Sequence, residues 1–231
     1  MLQKTKGSIK EIKQITSTVR SFILELKDEM NFKAGQFINI SFKDEDEILR
    51  KPYSIASSPK NNKELELVIN LVKEGEMTPA LFKKEVGFEV DIMGPLGLFT
   101  MEEATSEKIV FIATGTGIGP MRSMLLDELS KGTSKEFILI FGNRFENEIL
   151  YQKELEELET KHPNFRFIKV ISRPSDAWEG RTGYVQQNID MVDLVGSDFF
   201  ICGVPDMVDE TKKRLMDLGV QKEQIHLEKY I

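Results

Sequence analysis

The stretch "IVFIATGTGIGPMRSML", residues 109–125, limits the fold more than any other part of the chain. Every position from Ile109 to Ala113 is apolar. A strand with no polar alternation has to be covered on both faces, as happens in a parallel sheet flanked by helices. The run breaks at Thr114 into Gly115-Thr116-Gly117-Ile118-Gly119-Pro120, and a helical pattern follows over 120–131. Glycines let backbone approach a ligand closely, and the start of a helix offers free N–H groups and the positive end of a dipole. Pro120 suits a first helical turn, where its missing N–H costs nothing. The segment therefore predicts a strand–loop–helix unit that takes an anionic group such as a pyrophosphate. A plain glycine-rich turn stays open as the alternative, since the loop is neither a strict GxGxxG nor a Walker loop.

The rest of this half repeats the rhythm. Strands are predicted at 137–142, 165–172, 198–203 and 225–231, with helices at 149–161 and 205–219. Alternating βαβ units predict an α/β doubly wound parallel sheet, with ligands at the carboxyl ends of its strands. The first hundred residues read differently. Short segments rich in β-branched and aromatic residues, at 21–26, 36–42, 53–57, 65–72 and 88–94, alternate with turn or charged segments. With one helix near 78–85 they predict a small antiparallel β-barrel. The polar "MEEATSEK" (101–108) separates the halves, so the expected domains are 1–103 and 104–231. A chain of 231 residues accommodates two domains of about 100–130 each.

A net charge of −7 gives no basic surface from which to argue for nucleic acid. The one cysteine, Cys202, excludes an intrachain disulfide and a four-cysteine cluster built from this chain, and two distant histidines, His162 and His226, make no metal site. No metal is expected. No apolar run reaches the roughly 18 residues of a membrane span, and the polar start does not resemble a signal peptide. A reducing, cytosolic setting without membrane insertion is the expectation.

Four further stretches carry chemistry. In "RKPYSIASS" the cations Arg50 and Lys51 precede Tyr53 and Ser54. Tyr53 can stack on a flat ring, Ser54 can hydrogen-bond a ring nitrogen, and a cation can meet a phosphate. A barrel strand with a half-buried tyrosine reads the same way. In "KEGEMTPALF", Thr78 is the expected N-cap and Pro79 the first helical residue, with Gly75 allowing close backbone approach. "FICGVPDM" puts Cys202 at the carboxyl end of a sheet strand, where a core role is also open. "HLEKYI" puts Glu228 and Tyr230 on one side of a strand by their two-residue spacing. An edge strand facing solvent would read alike.

Taken in order, "KPYS", "GEMT", "GPLGLF", "GTGIGP", "CGVPDM" and the acidic-x-aromatic "EKY" resemble the ferredoxin–NAD(P)+ reductase superfamily in its compact two-domain, flavodoxin-reductase-like form. The resemblance runs from "GQF" (35–37) to "EKY" (228–230). It implies an FAD-binding barrel followed by an NAD(P)-binding α/β domain. Tyr53 would stack on the flavin, Ser54 would bond near its hydride-exchanging nitrogen, and Lys51 or Arg50 would face the FAD pyrophosphate. Gly75, Met77 and Thr78 would cap that pyrophosphate through backbone N–H groups, and Ile69, Asn70 and Val72 would line the flavin. Thr114, Gly115, Thr116, Gly117 and Pro120 would take the nicotinamide dinucleotide, with Gly203 and Met207 beside it. Cys202 would lie near the nicotinamide, Glu228 would relay a proton or tune charge, and Tyr230 would cover the other flavin face. Three departures stand out. Lysine occupies the arginine position of the flavin motif, Val204 interrupts the Cys-Gly-Pro sequence, and Ile231 follows the terminal aromatic.

The implied activity is hydride transfer between NAD(P)H and FAD, with electrons then passed to a carrier protein such as ferredoxin or flavodoxin. Alternatives are a reductase subunit of an oxygenase or larger redox complex, and a non-catalytic flavin-binding redox-sensing module. Ser172, Arg173 and Arg181 resemble positions that hold the 2′-phosphate of NADPH, while Asn143-Arg144 fits either nucleotide. The lean is to NADPH.

Overall fold

The structure, a computed structural model, describes residues 2–230, so Ile231, the end of the last predicted strand, lies outside the described residues. The chain forms two compact units. One holds the residues up to Thr100 together with Arg122–Asp127, and the other holds Met101–Met121 and the residues from Glu128 onward.

The first unit contains β1 (Gln3–Gln14), β2 (Val19–Leu26), β3 (Phe37–Asp44), β4 (Glu47–Ser54), β5 (Glu64–Asn70), the short helix α1 (Met77–Phe82) and β6 (Glu89–Leu96). All neighbouring strands are antiparallel, in the order β4-β3-β6-β1-β2-β5. An Ile55↔Leu67 bridge, with Ala56 N–H donating to Glu66 O at 2.8 Å, joins the tail of β4 to β5 and closes the sheet on itself. Inside lie Phe22, Leu24, Ile38, Ile40, Leu65 and Leu67, each at most 2% exposed. Alternation along each strand sends these side chains inward and their neighbours outward.

Two elements differ from the sequence reading. β1 runs through the polar start and pairs with both β2 and β6. Gly7 and Ile9 are its buried positions, so backbone pairing, not an apolar pattern, holds it. The strand expected at 53–57 instead begins at Glu47 and carries Pro52. β4 pairs along its length only with β3, and an edge strand tolerates a residue that cannot donate to a ladder.

The second unit contains β7 (Lys108–Thr114), α2 (Ile118–Ser130), β8 (Glu136–Asn143), α3 (Gln152–Lys161), β9 (Phe165–Ile171), β10 (Arg181–Thr182), β11 (Ser197–Gly203), α4 (Pro205–Asp217) and β12 (Ile225–Lys229). The strands are parallel, in the order β10-β9-β8-β7-β11-β12. The chain steps outward from β7 to β8 and β9, then returns to β11 on the other side of β7. The order therefore reverses between β7 and β11, and that reversal is the doubly wound topology. The helix expected to open at residue 149 opens instead at Gln152, after Tyr151 adopts φ 55°.

At the amino end of β11, Asp198 is fully buried. Its Oδ2 accepts from the N–H groups of Thr105 (3.0 Å) and Ser106 (2.7 Å), and its Oδ1 lies 2.8 Å from His226 Nε2. His226 stacks on Phe200 with ring centroids 4.4 Å apart. Burial pushes the Asp198 carboxyl up, but the bonds from His226, Ser106 and Thr105 outweigh it and hold the group below its ordinary value. A lowered carboxyl contributes stability above its unfolded value, near pH 4, and that contribution is lost as pH falls through the folded value. Asp198→Asn should thus cost about 1–3 kcal/mol at pH 7, read by urea unfolding, and the gap to the parent should narrow below about pH 4. An unchanged midpoint at pH 7 would refute this.

Candidate functional site

In the first unit, β4 delivers the flat ring and the hydroxyl. Tyr53 packs against the barrel core, while its hydroxyl is buried without a hydrogen-bond partner. Burial pushes the phenol up, so it stays protonated. Ser54 is buried next to it. Strand alternation puts Lys51 on the side of Tyr53 and Arg50 on the side of Ser54. Both cations are exposed and have no ion-pair partner among the described residues. Ile69 is buried at the end of β5, and Asn70 and Val72 are exposed beyond it.

The turn into α1 differs from expectation in two respects. Glu76, not Thr78, is the N-cap, and it makes no side-chain capping bond. The Thr78 hydroxyl accepts from the Val72 N–H at 2.9 Å and donates to Val72 O at 3.3 Å, which folds the loop between β5 and the helix. The Gly75 N–H donates to Val72 O at 3.0 Å and is committed to that turn. Of the three N–H groups read as phosphate caps, those of Met77 and Thr78 bond no carbonyl among the described residues.

In the second unit the glycine loop lies at the reversal between β7 and β11. Gly115 has φ 52° and open space where a side chain would be. Gly117 is crowded: a Cβ there would stand 2.4 Å from Cys202 O and 3.0 Å from Gly203 N. The start of α2 thus rides on the backbone at the carboxyl end of β11, which only glycine permits. A Cβ on Gly203 would meet Thr114 Oγ1 and the Met207 methyl, each at 2.4 Å. The Thr114 hydroxyl is buried and unpartnered. Thr116 is half-buried, and Pro120 is buried as the third residue of α2.

Cys202 pairs with Glu228 across the β11–β12 ladder, and the Tyr230 N–H donates to Gly203 O at 2.9 Å. Burial, and next the Glu228 charge, push the Cys202 thiol well up against a hydrogen bond with Tyr230 that lowers it. A neutral, fully buried thiol is neither a nucleophile nor a metal ligand. Among the described residues no group of three or more His, Cys, Asp or Glu side chains could hold a metal ion.

Arg144, Ser172 and Arg173 follow the carboxyl ends of β8 and β9, and Arg181 begins β10. All three arginines are exposed, and their guanidinium groups have no hydrogen-bond or ion-pair partner among the described residues. Asn143, last in β8, carries a side-chain nitrogen that is buried and unpartnered. The sequence reading paired it with Arg144 as fitting either nucleotide, without giving its side chain a contact of its own. Its signal was its position at the end of the second parallel strand.

Comparison with known proteins agrees with this division. The oxidoreductase FAD-binding domain family matches residues 6–101, and the oxidoreductase NAD-binding domain family matches residues 111–213. Ferredoxin–NADP reductase B of Sorangium cellulosum (strain So ce56) is 33% identical over 230 residues, covering 95% of this chain and 94% of that protein. The phenol hydroxylase P5 protein of Acinetobacter pittii (strain PHEA-2) is also 33% identical, over 238 residues, covering 100% of this chain and 67% of that protein. Among solved structures, Amycolatopsis cytochrome P450 reductase GcoB superposes with a TM-score of 0.91 at 28% identity, covering 99% of this chain and 70% of that one.

The crowding at Gly117 gives a direct test. Gly117→Ala should destabilise the second unit by about 1–3 kcal/mol and weaken pyridine-nucleotide binding while FAD content stays unchanged. Thermal unfolding, flavin absorbance and nucleotide titration read the three effects. Parental stability with parental nucleotide affinity would remove the close-approach argument.

Proposed function

The chain belongs to the ferredoxin–NAD(P)+ reductase superfamily of flavoproteins, and from that premise we propose that its two domains, residues 1–103 and 104–231, move electrons from NADPH through FAD to a carrier protein. It is an oxidoreductase that uses FAD and a nicotinamide dinucleotide. Bound FAD supplies the hydride acceptor and the ability to release electrons singly, while the protein supplies binding, orientation and exclusion of water.

The observation that carries the residue assignments is the set of unsatisfied groups. Among the described residues the Tyr53 hydroxyl is buried without a partner, and two exposed cations without an ion pair lie on the same strand, Lys51 on its side and Arg50 on the side of Ser54. These are the groups a flat ring and a pyrophosphate would satisfy. In this reading Tyr53 supports the ring, Ser54 hydrogen-bonds its edge, and Lys51 meets the pyrophosphate as a point charge. Ile69, Asn70 and Val72 line the flavin, and the N–H groups of Met77 and Thr78 complete the phosphate contacts. In the second domain Gly115, Thr116, Gly117 and Pro120 take the nucleotide pyrophosphate. Thr114, Gly203 and Met207 border the nicotinamide, and the Cys202 thiol lies under it. Glu228 is the group that tunes charge or relays a proton, and Tyr230 is the second aromatic assigned to the flavin.

Ferredoxin, flavodoxin and an oxygenase component are the carriers proposed. The likeness to the Sorangium ferredoxin–NADP reductase supports the first, and the likeness to the phenol hydroxylase P5 protein supports the last. No helix among the described residues is long and apolar enough to cross a membrane. A reducing, cytosolic setting is part of the proposal, supported by a single buried cysteine with no second to pair with.

Reconstitution with FAD, followed by anaerobic mixing with NADPH or NADH, should bleach the flavin, faster with NADPH. Tight FAD binding with no bleaching by either nucleotide would refute the reductase and leave a flavin-binding sensor. Arg173→Ala should lower kcat/KM roughly tenfold or more with NADPH and little with NADH, as expected for loss of one charge-assisted contact. Equal losses with both would remove the 2′-phosphate role.

A further inference from the structure

The barrel of the first unit closes through a narrow join, and a side chain from far along the sequence holds that join. Its main-chain part is the Ile55↔Leu67 bridge and the Ala56 N–H bond to Glu66 O at 2.8 Å. Arg122 of α2 grips both banks at once. Its Nη1 donates to Ala56 O at 2.7 Å and to Glu66 Oε2 at 2.9 Å. The Ser123 hydroxyl donates to Ser57 O at 2.6 Å, and the Ser57 hydroxyl accepts from the Glu66 N–H at 3.0 Å. Glu66 Oε1 accepts from the Ser21 hydroxyl of β2 at 2.6 Å, so the carboxylate is itself fixed. All of these contacts lie inside the first unit, because Arg122–Asp127 belong to it. The sequence boundary expected at 103 would have left Arg122 out.

The side chains of Arg122 and Glu66 are 11% and 16% exposed, so both charges have lost most of their water. Removing two charges from water is costly, and a pair of apolar residues often stabilises a fold as well. Apolar residues cannot, however, bond the Ala56 carbonyl and a neighbouring strand through one atom. The ion pair therefore does something that packing cannot: it fixes the spacing of the join. Ala56 follows Tyr53 by three residues and Ser54 by two. A shift of its carbonyl moves both. We propose that Arg122 is a positioning residue for the flavin, pinning the Ala56 carbonyl to Glu66 so that Tyr53 and Ser54 keep the pose that FAD meets. The inference rests on the FAD reading above.

The test uses the full-length chain, with and without FAD, and compares the parent with Arg122→Met, Arg122→Lys and Val90→Ala. Val90 is a core residue of β6, so its loss destabilises the same barrel without touching the clamp. Fluorescence titration of the flavin-free protein gives FAD affinity at a temperature where each variant is folded. Arg122→Met should bind FAD on the order of tenfold more weakly. Arg122→Lys keeps the charge and a donor but not the reach, and should lose about threefold. Val90→Ala should melt lower yet bind FAD within about twofold of the parent. Amide exchange in flavin-free Arg122→Met should rise at Ala56 and stay parental along the β1–β6 ladder. The absorption bands of bound flavin should shift in Arg122→Met and keep the parental form in Val90→Ala. Parental FAD affinity in Arg122→Met overturns the assignment; if that variant does not fold, parental affinity in Arg122→Lys does so. An equal loss in Val90→Ala also overturns it, because it marks a general effect of stability. So does weaker FAD binding with parental exchange at Ala56. A parent that takes up no FAD would instead sink the FAD reading, on which this one rests.

Discussion

The constraint on which the second unit depends is the seat of Gly117 on the backbone of Cys202 and Gly203. A parallel strand buried on both faces has to end somewhere, and its helix has to begin at once to cover the sheet. Doing so at the reversal between β7 and β11 brings the first turn of α2 onto the end of the neighbouring strand. Two things go with that contact. Thr114 lies against Gly203, and Cys202 is sealed from water. A larger residue at position 117 would lift the helix start away from the strand end.

Much of this was legible in the chain, and the reason is physical. Ile109 to Ala113 read as a covered strand, and the glycines after it as a close approach or a plain turn; Gly117 makes the close approach and Gly115 takes the positive φ. The cycle of strands and helices in the second unit follows from the same logic, and its order matches the expected winding. β1 escaped notice because its stability is not written in its side chains. It is held between β2 and β6 by main-chain pairing, and few of its residues reach the core. No apolar period records that kind of burial.

The site was legible in part. Tyr53, Ser54 and the two cations stood out as candidates because a ring, a hydroxyl and a charge stand together in one short strand. The work of Thr78 and Gly75 was misassigned because both bond Val72, several residues back, and a composition rule for helix caps does not see that loop. Asn143 was read only with Arg144, as fitting either nucleotide, for a related reason. An asparagine in sequence does not disclose whether its amide has a partner, and only the packed structure shows the nitrogen buried with none.

The closure of the barrel has a consequence of its own. Its two outer strands meet through one bridge, Ile55 to Leu67, with the Ala56 bond next to it, and this join begins one residue after Ser54. The other strand pairs share ladders of many residues. A ring of strands opens first where fewest main-chain bonds must break, so amide exchange in this unit should begin at that seam. Tyr53 and Ser54 stand at its lip. In the proposed reading a flavin resting on them would act as a suture, and the barrel of this chain would be most fully a barrel when loaded.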